Sequence, residues 1–221
     1  MSENYNNKNR KNMSTKMMNI DSKSGMCLVK VLLILFTFHF SLFTSFAQNA
    51  DLQKAVAKYK KTTTVTAAAT KTSHKDAIAK DVVTKGTLTM KKPADVSISI
   101  DGGNDQLVMH GSEFTMVVKG KSHKTSSQTN PQFATFQAVF EYILKGGEGD
   151  LSKLSDLAVT KQGNNIILTI TPIADSKKAQ RRMLFSSFVL TIDKNTSELK
   201  ALRMNERGGY TEYTFTGHQF K

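Results

Sequence analysis

Tryptophan is absent from the 221 residues and cysteine occurs once. That thiol, Cys27, precedes the apolar run from Val31 to Phe46. A lipidation cysteine would follow such a run, so Cys27 does not fit that role. Beyond it the chain can form neither a disulfide nor a thiolate metal site, and its stability has to come from packing. Proline occurs three times. Pro93 falls between two alternating stretches, Pro131 opens a helix and Pro172 ends a strand. The signatures of common catalytic sites are also missing. There is no G-x-S-x-G, no phosphate-binding loop and no G-x-G-x-x-G. His74, His110, His123 and His218 lie scattered, none at H-x-x-x-H spacing. The carboxylate pairs Glu148/Asp150 and Glu206/Glu212 sit beside glycines and read as turn or surface residues. These absences point away from an enzyme, a metal site or any cofactor.

Charge is abundant and of one sign. The formal net charge is +13. Its lysines are spread, and aromatic residues are not interleaved with them as a nucleic-acid stacking platform requires. No nucleic-acid partner is therefore expected, and an anionic membrane surface or lipid headgroup suits the charge better. Residues 1–47 read as a secretory signal peptide. A basic n-region (Lys8, Arg10, Lys11, Lys16, Lys23, Lys30) leads into the apolar run, and Ser45-Phe46-Ala47 offers small residues where a signal peptidase reads. The run is short for a membrane span, which needs roughly 20 residues. Cleavage after Ala47 lowers the net charge to +9, since six of the 31 basic and two of the 18 acidic residues lie in the leader. Residues 48–221 are expected to form a single exported domain, a monomer of the periplasm.

The organising stretch is Val82 to Val118. Val82, Thr84, Gly86, Leu88 and Met90 share one parity; Val96, Ile98 and Ile100 resume it after Pro93, and Phe114, Met116 and Val118 after Gly111-Ser112. A period of two predicts an antiparallel meander with one apolar face. Before it, Leu52, Ala55, Val56 and Tyr59 fall at helical spacing, and Thr62–Thr66 reads as a strand. Residues 73–80 read as a loop tip, and residues 119–130 as a basic loop. Asn130-Pro131 opens a helix whose Phe133, Phe136, Phe140, Ile143 and Leu144 share a face, and Gly146-Gly147 ends it. Residues 150–156 suggest a short helical turn. Strands follow at 158–162 and 165–171 around Gly163-Asn164, then at 183–192, with Leu184, Phe188, Leu190 and Ile192 on one face. A last hairpin turns at Arg207-Gly208-Gly209. The class is α+β: a large, mostly antiparallel sheet with two or three amphipathic helices against it. The methionines Met90, Met109, Met116, Met183 and Met204, with the phenylalanines, make the apolar surface adaptable.

Gly86-Thr87-Leu88-Thr89-Met90-Lys91-Lys92-Pro93 resembles the G-x-L-x-[hydrophobic]-K-R-P strand of the LolA family, periplasmic carriers of outer-membrane lipoproteins. His110-Gly111-Ser112-Glu113-Phe114 is similar to that family's D-G-x-x-[aromatic] segment, and Asn165 to Pro172 to its F-x-L-x-P strand. The order of helix and strands agrees over most of residues 50–216. The resemblance implies a strongly curved half-barrel sheet, with two to three helices packed as a lid over its concave apolar face. It implies that acyl chains bind between them, against Leu88, Met90, Val96, Ile98, Ile100, Phe114, Met116 and Leu168 on the sheet and Phe133, Phe136, Phe140 and Ile143 on the lid. The implied partners are acylated lipoproteins, an inner-membrane lipoprotein-releasing ABC transporter complex and an outer-membrane acceptor. Lys92 stands where the family has an arginine that latches the lid; lysine keeps the charge without the planar fork. The family's tryptophans are missing, with Ile98 at one such position. A lipid- or lipoprotein-sensing domain of the same fold, or a carrier of another acylated molecule, fits the same features. On this reading Ile98→Asp or Phe140→Asp should fold and lose lipoprotein binding.

Overall fold

The alternation read from the sequence is an alternation of burial in the computed structural model, which describes residues 50–174 and 176–221. The predicted signal peptide lies outside the described residues. A short helix, α1 (residues 50–56), tightens into a 3-10 turn at Ala57–Lys61. Then come β1 (Thr64–Lys75), β2 (Val82–Lys91), β3 (Asp95–Ile100), β4 (Asp105–His110), β5 (Glu113–Val118) and β6 (Lys121–Ser126). Helix α2 (Ala134–Leu144) separates these from β7 (Leu157–Gln162) and β8 (Asn165–Ile170). Helix α3 (Lys177–Arg182) precedes β9 (Phe185–Asp193), β10 (Leu199–Glu206) and β11 (Gly209–Phe220).

All eleven strands join one antiparallel sheet in the order β6-β5-β4-β3-β2-β1-β11-β10-β9-β8-β7. The chain builds outward from β2 to β6, then crosses through α2 to the far edge and returns to close β11 against β1. The two edges do not pair, so the sheet is open. It is nevertheless strongly curled. Strands β5 and β9 stand seven places apart, roughly 34 Å on a flat sheet at about 4.8 Å per strand. Yet the ring of Phe133 lies 4.7 Å from that of Phe114 on β5 and 6.0 Å from that of Phe188 on β9. A right-handed twist accumulated over so many strands produces such a curl. The enclosed face carries the core. Leu52, Val56 and Tyr59 of the first helical segment and Phe136, Phe140 and Ile143 of α2 join it in one apolar cluster.

Several expected boundaries move. Strand β1 runs to Lys75, so the loop tip shrinks to residues 76–81. The basic loop 119–130 contains strand β6. Residues 150–156 make turns rather than helix, and α3, which buries no residue, was not anticipated. The strand expected from Met183 starts at Phe185. Its pairing with β10 shifts register at Asn205/Glu206, so Phe185 turns inward and Leu184 is 57% exposed. Of the two or three helices expected against the sheet, two, α1 and α2, join the apolar cluster.

Candidate functional site

Of the twelve residues expected to meet acyl chains, eleven are buried and Met116 is partly buried; all belong to or pack against one cluster. The face predicted from parity is therefore assembled as expected, but it is largely filled by its own helices. Helix α2 meets the sheet through aromatic rings. Phe136 lies 5.0 Å from Phe188 and 5.9 Å from Phe114 between ring centroids, and 4.8 Å from Phe140. Such tilted and edge contacts are arrangements that aromatic pairs prefer. Phe114, Met116 and Phe133 border open space; the other nine lie within the packed layer.

That open space lies toward one end of the sheet. Register places the β1–β2 turn, the β5–β6 turn, the ends of β8 and β10 and the start of β9 together there. A cavity of about 440 Å³ opens at this end, within the size range of small-molecule sites. A second, of about 120 Å³ and mostly apolar, reaches Phe114 and Phe133. Met116, Leu184 and Phe185 line both. The smaller one abuts Phe133, just before α2.

Between this mouth and the apolar interior stands a polar collar that the sequence reading missed. Lys71 Nζ donates to Asp105 Oδ2 at 2.7 Å, bridging β1 and β4 across the curl, and both side chains are mostly buried. Lys75 Nζ pairs with Glu206 Oε2, and Thr211 Oγ1 donates to Glu206 Oε1 at 3.0 Å. Burial would push the Asp105 carboxyl up, but Lys71 and the backbone N–H of Lys119 together hold it below the usual carboxylate range. Burial pushes the Tyr213 phenol, on the same cavity wall, well up. The signal was present in β1. Lys71, Ser73 and Lys75 continue the parity of Val65, Ala67 and Ala69, so the inward face changes from apolar to charged along one strand.

At the opposite end Lys92 does reach the first helical segment. Its Nζ donates to Lys60 O at 2.7 Å, and Lys60 Nζ lies 2.8 Å from Glu148 Oε1 in the loop after α2. Glu148 holds the Lys60 ammonium above its ordinary pKa and is itself lowered in return. The loop comes this close because Gly146, at φ 70°, has no side chain; a Cβ there would stand 2.5 Å from Lys60 N. Residues just after β2, in the 3-10 turn after α1 and in the loop after α2 thus converge on one carbonyl and one ion pair.

Among the described residues no group of three His, Cys, Asp or Glu is placed to hold a metal ion, and no helix is long and apolar enough to cross a membrane. No protein-family model matches the chain, and a search of curated proteins finds no match. Among solved structures the chain is similar to an outer membrane lipoprotein-sorting protein domain from Vibrio parahaemolyticus. Identity is 8%, covering 78% of this chain and 92% of that one, with a TM-score of 0.39. It is also similar to a LolA superfamily protein from Nitrosomonas europaea (10% identity, 78% and 92% covered, TM-score 0.35). A third is the lipoprotein LppX of Mycobacterium tuberculosis (14%, 77% and 93%, TM-score 0.30). At these scores the likeness carries no argument, and the fold stands on the register and curl described above. The family that the strand motifs resemble is also the one named among these neighbours.

Proposed function

We propose that this chain is a LolA-like periplasmic carrier that takes the acyl chains of lipoproteins between the curled sheet and the α1/α2 layer. It would receive cargo from an inner-membrane lipoprotein-releasing ABC transporter complex and pass it to an outer-membrane acceptor. Three chains of about 16 carbons, at roughly 0.8 kcal/mol per CH₂, resist transfer to water by on the order of 35–40 kcal/mol. A carrier must replace much of that burial and still release it. One observation supports the reading above the others. The smaller, apolar cavity is lined by Phe114 and Phe133, at the aromatic joint between the start of α2 and the sheet, so a hydrocarbon entering there meets ring contacts first.

On this reading α1 and α2 act as a lid, Lys92 is its latch through Lys60 O, and the filled interior is the closed form. Met116, which lines both cavities and is only partly buried, is the residue to test. Native mass spectrometry of protein isolated from its own envelope should find co-purified acyl lipid, and Met116→Asp should lose it, while Thr87→Asp on the outer face of β2 keeps it. Equal lipid in the Met116→Asp variant would refute the acyl site.

A further inference from the structure

The six large apolar residues most exposed among the described residues are Ile78, Val82, Val83, Val118, Ile173 and Leu184. Their positions are not scattered. Ile78 is in the β1–β2 turn, Val82 and Val83 open β2, Val118 closes β5, Ile173 follows β8 and Leu184 precedes β9. By the strand register all six lie at the end of the sheet where the 440 Å³ cavity opens, and Ile78, Val82, Val118 and Leu184 line that cavity. Exposed apolar side chains gathered at one end mark a contact surface.

The charge around them selects the partner. Four lysines and two carboxylates line the cavity. Asp105 and Glu206 are taken by Lys71 and Lys75, which leaves Lys80 and Lys119 as surplus positive charge on the rim. Asp76 and Asp81, in the same turn beside His74, offset part of that charge, so the net positive charge of this end rests on α3 as well. Helix α3, leading into Leu184, adds Lys177, Lys178, Arg181 and Arg182, all exposed. Apolar tips set among cations, on turns rather than on one flat face, match the interface of an anionic bilayer: the tips enter the acyl boundary while the cations meet phosphate. We infer that the open end of the sheet docks directly on an anionic phospholipid surface, with the cavity mouth facing the membrane. The docking gains its purpose from the carrier reading above, because chains could then pass between bilayer and cavity without crossing water.

The test is flotation of protein isolated from its own envelope with vesicles of phosphatidylethanolamine and phosphatidylglycerol, against vesicles of phosphatidylcholine. Binding should be at least tenfold stronger to the anionic vesicles. It should fall at least tenfold in Lys80→Glu/Lys119→Glu and in Ile173→Ser/Leu184→Ser. The matched pair Lys61→Glu/Lys91→Glu, exposed at the opposite end, should bind as the parent does. Parental binding in the open-end variants, an equal loss in the opposite-end pair, or indifference to lipid charge would each overturn the inference. Co-purified lipid is scored in the same preparations. If no preparation holds acyl lipid while open-end substitutions still abolish flotation, the carrier reading fails and the docking surface stands.

Discussion

Single positions behave differently once their surroundings are known. Ile98 and Phe140 have no exposed surface and lie inside the apolar cluster. An aspartate at either would be an unpaired, dehydrated group, with a cost of at least about 3 kcal/mol. Ile98→Asp is therefore expected to unfold the domain rather than leave a folded, cargo-blind protein; a urea midpoint close to the parent's would contradict this. His218 gives stability a pH dependence near neutrality. Its side chain has no exposed surface, its two ring nitrogens lack hydrogen-bond partners, and it stacks on Phe220 at 6.2 Å. Burial lowers its pKa; Glu198, 3.8 Å away, opposes that, while Lys200 and Lys58 reinforce it. The unfolded chain then binds a proton that the folded chain resists, so stability is full above about pH 6.5 and falls as pH drops below it. His218→Gln should flatten that part of a urea-midpoint profile; an unchanged slope would mean another group is responsible. Burial at Ile98 was legible from parity. The isolation of His218 was not, because it follows from a register shift between β1 and β11 near Gly217, which only pairing reveals.

Elements with strong periodicity were legible and those without it were not. Helix α2 announced itself by its phenylalanines, and β2 to β5 by alternation. Strand β6 (KSHKTS) has no apolar parity because it is an edge strand with little to bury; its Lys121, His123 and Lys124 discourage pairing with another chain. The contact of α1 with the loop after α2 was equally hidden, since it depends on a glycine far along the chain. Gly146→Ala would place a methyl against Lys60 backbone at positive φ, so a loss of about 1–3 kcal/mol is expected. Hydrogen exchange should quicken across residues 50–61. Lys92→Ala removes the bond to Lys60 O, worth about 1 kcal/mol or less at this accessible site. It should quicken exchange over the same residues without disturbing β9 or β10. If neither variant touches α1, the helix is held by its apolar face alone, and the latch role of Lys92 falls.

For the molecule as a whole, the decisive feature is that the apolar interior is filled by its own helices while open cavities lie against it toward one end of the curled sheet. The periodicity of the strands showed that a face existed, but not how much of it the helices would fill. Filling depends on the curl, which brings β5 and β9 to the same ring although β5 is far from β9 in sheet order. A rigid pocket and a displaceable cover therefore make opposite forecasts for ligand binding. A ligand that fits existing space tightens everything around it and slows exchange throughout. A chain that enters at the Phe114–Phe133 contact must take the place of α2 side chains, so α2 should exchange faster while the melting temperature still rises with ligand concentration by mass action. Hydrogen exchange with a long-chain acylated peptide is expected to give that split, with faster amides in Ala134–Leu144 and slower ones in β1, β10 and β11. Uniform slowing, α2 included, would locate the ligand in the mouth cavity alone and remove the helices from the transport mechanism.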